Sequence, residues 1–121
     1  LESMARFRAM ADSAPALVWM SDTTGACVWF NRVWLEFTGR DMDDVLGDRW
    51  LDDVHPDDRE RCLDIYLEHF RAREGFVMEY RLRRADGQYR WFLSRGVPRH
   101  EPDGSFAGFI GTCVDIHGRV E

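Results

Sequence analysis

The last third of the chain constrains the fold most. Residues 76–116 read as three apolar runs separated by two glycine turns. The first, FVMEYRLRR (76–84), sets Phe76, Met78, Tyr80 and Leu82 against Glu79, Arg81 and Arg83, the period-two signature of a half-buried strand. Asp86-Gly87 signals a hairpin. QYRWFLSRGVPRH (88–100) is a long second strand, and Pro102-Asp103-Gly104 is a second turn. SFAGFIGTCVDI (105–116) closes the series, with Gly108 and Gly111 allowing a bulge or close packing. Strands joined this tightly lie antiparallel.

The first two thirds supply the other layer. Residues 3–11, SMARFRAMA, carry Met4, Phe7, Met10 and Ala11 at helical spacing, so a short amphipathic helix must dock on something. ALVWMSD (16–22) and ACVWFN (26–31) flank Thr23-Thr24-Gly25 and read as a hairpin. Asn31 is an N-cap and Gly39 a C-cap for a helix whose inner face is Val33, Trp34, Phe37 and Thr38. DMDDVLG (41–47) repeats that plan with Asp41 and Gly47, and Trp50–Val54 makes another helical turn. The order is β-β-α-α-α-β-β-β: an α+β fold, one antiparallel sheet with helices inserted after its second strand.

Residues 52–61, DDVHPDDRER, pose a choice between a metal or catalytic site and a helix start. Cys62, Leu63, Tyr66, Leu67 and Phe70 follow on one helical face. Pro56 suits the first helical position. Asp57 and Asp58 fall where free N–H groups and the helix dipole favour negative charge, and Arg71 and Arg73 sit near the other end. A helix start explains the segment fully.

With 45% hydrophobic and 13% aromatic residues, the chain has enough apolar surface for one globular core. Sixteen basic against twenty-two acidic residues leave −6, which argues against nucleic acid as a partner. Cys27, Cys62 and Cys113 are odd in number and far apart, with no CxxC pair, so neither a zinc ribbon nor a redox motif is expected, and a reducing cytoplasmic setting is. No apolar run reaches the roughly 18 residues of a membrane span, so no direct membrane contact is expected. The opening LESM suggests a piece of a larger protein. There is no GxSxG elbow, GxxxxGK[ST] loop or HExxH, so the chain itself is expected to be non-enzymatic.

In joint order and spacing, the chain resembles a PAS domain, the sensory-box module of bacterial signalling proteins. The matching pieces are Asp22–Gly25, Asn31, Phe37-Thr38-Gly39, Leu46-Gly47, Trp50, His55–Arg59, Glu79-Tyr80-Arg81, Asp86-Gly87, Arg90-Trp91, Gly104, Gly111 and Asp115-Ile116. The resemblance covers residues 12–117, with 1–11 as a flanking dimerisation helix and 118–121 as the start of a linker to a missing effector. It implies a five-stranded antiparallel sheet in the order 2-1-5-4-3 with helices on one face, and a parent of histidine kinase or diguanylate cyclase type.

The resemblance also implies a space between helices and sheet that some members fill with haem, flavin or small acids. Candidate lining residues are Trp34, Phe37, Trp50, Leu63, Leu67, Tyr80, Trp91, Phe109 and Cys113. The alternative is that these side chains fill the core and leave no void, the commoner use of an apolar stripe. Flavin is not expected. Where the flavin-binding branch has its reactive Cys this chain has Trp50, and where it has a Gln this chain has Cys113. Haem needs an axial His, and His69 lies one step off the apolar helix face. Cys62 could carry a thioester chromophore, but a buried Cys is more often a small hydrophobe. A small apolar or acidic ligand stays open.

Two functions remain. In one, packing shifts between the long helix and the sheet pass through the last strand to Asp115, Ile116 and His117. In the family that exit is usually Asp-Ile-Thr, so His117 replaces a Thr, and Asp115 is expected to pair with Arg81 or Arg90. In the other, the module is ligand-free and serves as a homodimer or docking unit through Met4, Phe7 and Met10, with Phe92 exposed on the sheet.

Overall fold

A computed structural model describes residues 2–120. Leu1 and Glu121, assigned from the sequence to the flanking helix and the linker, lie outside the described residues. Helix α1 (Glu2–Asp12) leads into strands β1 (Leu17–Ser21) and β2 (Cys27–Phe30). Helix α2 (Arg32–Thr38), two 3-10 turns (Met42–Asp44 and Arg49–Asp53) and helix α3 (Pro56–Ala72) follow. Strands β3 (Phe76–Arg83), β4 (Tyr89–His100) and β5 (Phe106–Asp115) end in helix α4 (His117–Val120). The sheet is antiparallel in the order β2-β1-β5-β4-β3, as the resemblance implies.

The caps explain the helix positions. Asn31 Oδ1 accepts from Trp34 N–H at 3.1 Å, and Gly39 ends α2 at φ 71°. His55 Nδ1 accepts from Asp57 N–H at 3.1 Å, with Pro56 as the first residue of α3. The segments at Asp41 and Trp50 are 3-10 turns of three and five residues rather than α-helices. Runs this short give the α-helical bond pattern too little to propagate.

The sheet separates two apolar clusters. The inner face joins Trp19, Phe30, Phe76, Met78, Tyr80, Leu82, Phe92, Phe109 and Cys113 to Trp34 of α2, Trp50, and Cys62 and Tyr66 of α3. The outer face joins Val18, Met20 and Trp29 to Ala11 of α1, with Met4, Phe7 and Ile110 packed alongside. Gly111 pairs with Trp19, and a Cβ there would collide with the Trp19 indole, so the indole can lie flat on the strand only over glycine.

Two expectations about β4 are corrected. Phe92 is 1% exposed and meets Phe37 edge-on at 5.0 Å between ring centres, while Trp91 lies on the outer face beneath the Arg81 guanidinium at 4.9 Å. A two-residue Asp86-Gly87 turn would set Trp91 opposite the inward Leu82. Instead, Arg84 N–H donates to Gln88 O at 2.7 Å, which closes a three-residue loop. Trp91 therefore faces Arg81, and Phe92 faces Tyr80. A one-residue slip reverses every side chain of a strand.

Asn31 joins three elements. Its Oδ1 also accepts from Val18 N–H at 3.0 Å, and its Nδ2 donates to Ala11 O at 2.7 Å and Ala16 O at 3.0 Å. We predict that Asn31→Ala, which takes the acceptor from the Val18 and Trp34 N–H groups and one donor each from Ala11 O and Ala16 O, costs about 3 kcal/mol in urea unfolding. Hydrogen exchange should show α1 loosening before the strands. A loss below about 1 kcal/mol would mean that the backbone finds other partners.

Candidate functional site

The site is the seam between the inner sheet face and the helices. Trp19 and Phe30 come from β1 and β2, Trp34 from α2, Trp50 from the second 3-10 turn, Tyr66 from α3, Met78 and Tyr80 from β3, and Ser94 from β4. With Cys27, they enclose a void with room for about one water molecule.

Of the residues expected to line it, Trp34, Trp50 and Tyr80 form its wall. Phe37, Phe109 and Cys113 belong to the same core but stand behind that wall. Leu63 and Leu67 line a surface groove with Gly25, Gly47 and Asp48, and only Trp50 and Tyr66 border both groove and void. Trp91 is on the opposite side of the sheet. Trp19, Cys27, Phe30, Tyr66, Met78 and Ser94 escaped the sequence reading. Met78 follows from the alternation of β3, whereas the unbroken apolar run of β1 leaves the face of Trp19 open and nothing in the sequence distinguishes Ser94 from a solvent-facing serine.

Polar groups in the seam are tied inward. The Tyr80 hydroxyl and Cys113 Sγ lie 3.3 Å apart, and the Cys113 thiol donates to Ser94 Oγ at 3.3 Å. The Tyr66 hydroxyl donates to Gly25 O at 2.6 Å, anchoring α3 to the β1–β2 turn. Burial pushes the Cys62 thiol up to about 12 and raises Cys27 and Cys113 as well. All three thiols are therefore protonated at neutral pH and are poor nucleophiles. His69 Nδ1 lies 2.8 Å from Ile65 O, off the wall of the void. Among the described residues, no group of three or more His, Cys, Asp or Glu is placed to hold a metal ion.

Two carboxylates lock the helical layer to β3. Asp58, in the first turn of α3, accepts from Arg81 N–H at 2.9 Å, from its Nε at 3.0 Å and from its Nη2 at 2.8 Å. Asp53 receives Arg40 at 2.8 Å and Arg83 at 3.2 Å. The acidic segment thus positions the roof of the seam.

At the exit, Arg90 Nε donates to Asp115 Oδ2 at 2.6 Å, and His117 N–H donates to Asp115 Oδ1 at 2.8 Å. Arg81 is committed to Asp58, so Arg90 is the partner. The His117 imidazole takes up an exit contact of its own: its Nδ1 accepts from Trp91 N–H at 3.2 Å, while Ile116 N–H donates to Trp91 O at 2.9 Å. On the outer face, Met4 and Phe7 are half-buried against the chain's own sheet, with Phe7 6.2 Å from Trp29 between ring centres. Met10 is 72% exposed.

The chain belongs to the PAS family, whose PAS-fold model matches residues 28–113. It is 45% identical over 118 residues to an uncharacterized protein, y4lL, of Sinorhizobium fredii, with 98% of this chain covered. It is 33% identical over 111 residues to the peroxide stress-activated histidine kinase mak1 of Schizosaccharomyces pombe, with 91% covered. The chain spans only 14% and 7% of those two proteins. The crystal structure of a PAS domain from Colwellia psychrerythraea superimposes with a TM-score of 0.74 at 21% identity, covering 96% of this chain and 99% of that one.

Burial pushes the Asp58 carboxyl up, but the Arg81 hydrogen bonds, with the charges of Arg81 and Arg61, outweigh it and hold the group at about 2. An unfolded Asp ionises near ~3.9. The depressed group therefore adds stability above that value, and the contribution disappears as pH falls from about 4 to 2. We predict that Asp58→Asn costs about 2 kcal/mol at neutral pH. The gap from wild type should narrow on acidification over that window, read from urea midpoints. A gap independent of pH would mean that the carboxylate charge is not what the site uses.

Proposed function

We propose that this chain is the regulatory PAS module of a larger signal-transduction protein of histidine kinase type. In that reading it passes a change in helix–sheet packing through β5 to an effector after His117. The observation that carries the reading is the exit clamp. Asp115 holds Arg90 of β4 with one oxygen and the first N–H of the outgoing α4 with the other. A movement of β4 against β5 is thereby felt at the start of the next element. The kinase relative named above supports the type of parent, and diguanylate cyclases are the other type that the resemblance implies.

The module works without haem or flavin in this proposal. The void is far smaller than either group, and no imidazole lines it. The domain has no catalytic activity of its own and engages neither nucleic acid nor membrane, a reading supported by its net charge of −6. No helix among the described residues is long and apolar enough to cross a membrane, and a cytoplasmic site is the companion proposal.

The test uses the parent protein. Asp115→Ala and Arg90→Ala should each shift effector output several-fold in the same direction. The double variant should add nothing further, as expected when both residues act through one interaction. Output unchanged by either substitution would overturn the relay.

One observation favours a second role in homodimerisation. The exposed Met10 borders an apolar groove between α1 and the outer sheet face, walled by Phe7, Val18, Val97 and Ile110. Phe7 is a poor probe of that role because it packs in its own chain; Met10 is the better one. Native mass spectrometry should show two chain masses for wild type and one for Met10→Lys, and a wild-type monomer would remove the dimer reading. The same spectrum, with a visible absorption scan, reads any co-purified ligand.

A further inference from the structure

We propose that the void beside Trp34 is a binding site for one neutral hydrogen-bond acceptor of water size, filled in the resting protein by a single water. The inference goes beyond the relay and does not depend on it. Trp34 is 1% exposed, and its indole nitrogen meets no acceptor among the described residues. An indole N–H only donates, and a buried donor is nearly always partnered by protein or by ordered water. Two other indoles line the wall, those of Trp19 and Trp50, and neither has a buried nitrogen left without a partner. Trp34 differs because it lines the void and its buried nitrogen has no acceptor.

The wall is mostly apolar, but three of its residues carry atoms that a water could use besides that donor. Ser94 Oγ, Tyr80 Oη and Cys27 Sγ all belong to residues that line the void and can receive a water's hydrogens. A buried water typically makes two to four hydrogen bonds in a space of about this size. No charged side chain lines the void, so an ion there would be uncompensated. An organic molecule would have to displace Trp50 and Tyr66, the partition between the void and the α3 groove. Tyr66 is held in that partition by its bond to Gly25 O. The occupant therefore bridges α2, through Trp34, to β3 and β4, through Tyr80 and Ser94.

The deciding experiment is a water-selective NOE measurement on the nitrogen-15-labelled protein, read at the five tryptophan indole protons. Trp34→Phe assigns the signal. Should that variant fail to fold, contacts to the Phe30 ring, 4.7 Å away between ring centres, assign it in wild type. A long-lived water cross-peak at the Trp34 indole is expected. Ser94→Ala, which removes one anchoring oxygen, should speed exchange of that indole hydrogen about tenfold. No water cross-peak, with xenon shifting the Trp34 and Met78 resonances instead, would show a dry cavity and overturn the proposal. So would an organic mass adduct that Trp34→Phe abolishes, or indole exchange unaffected by Ser94→Ala.

Discussion

The rest of the structure depends on the side-chain amide of Asn31. It is fully buried, and both its oxygen and its nitrogen are used twice. The oxygen starts α2 and fixes the backbone of β1, and the nitrogen ties off the end of α1 and the segment entering β1. One planar group thus sets the angle at which the helical layer leaves the sheet. It also sets the angle at which α1 crosses the opposite face. An aspartate would keep the two accepted bonds but turn a charge toward the Ala11 and Ala16 carbonyls, and no other side chain of this size has two acceptors and two donors in one plane. The Trp34 indole and the void beside it stand one helical turn beyond this anchor.

The acidic segment before α3 serves the same end by other means. Its carboxylates look like catalytic or metal-binding material in the sequence, but the two buried ones, Asp53 and Asp58, are held by arginines, and the helix cap is the His55 ring. Asp58 and Asp53 together clamp β3 to the turns that carry Trp50. Arg81 is held by Asp58 and lies over Trp91, so the clamp passes round the β3 edge of the sheet to its outer face. The thiols are inert for a related reason: Cys27, Cys62 and Cys113 sit where burial holds their protons on.

Much of this architecture was legible in the sequence because caps and periodicity act locally. Asn31, Gly39 and Pro56 mark their helices through groups one to three residues away, and β3 declares its inner face through four strictly alternating apolar residues. The phase of β4 was not legible, because QYRWFLS offers apolar side chains on both faces and only the length of the preceding loop decides between them. The segment at Asp41 was read as a second capped helix because a cap followed by glycine does not reveal how many residues the turn contains. The cavity wall was half legible. Its aromatic members follow from the apolar faces, but Ser94 and Cys27 are identified only by what lies across from them. The split of Leu63 and Leu67 from Tyr66 needed the true rotation of α3, which a broad apolar stripe leaves open.

The three-residue loop between β3 and β4 has a consequence for how this domain can vary. Ala85, Asp86 and Gly87 are exposed, and their contacts are local: Ala85 N–H donates to Phe37 O at 2.8 Å, Asp86 accepts from Arg84 and from Gln88 N–H, and Gly87 holds a φ of 91° that other residues resist, so a substitution there costs local contacts rather than the core. Their number is not free. Deleting one would turn Trp91, Leu93 and Arg95 inward and push Phe92 and Ser94 out, dismantling the wall of the central seam from a position on the surface. In this fold a harmless-looking hairpin tip counts residues on behalf of the core, and it tolerates respelling far better than shortening.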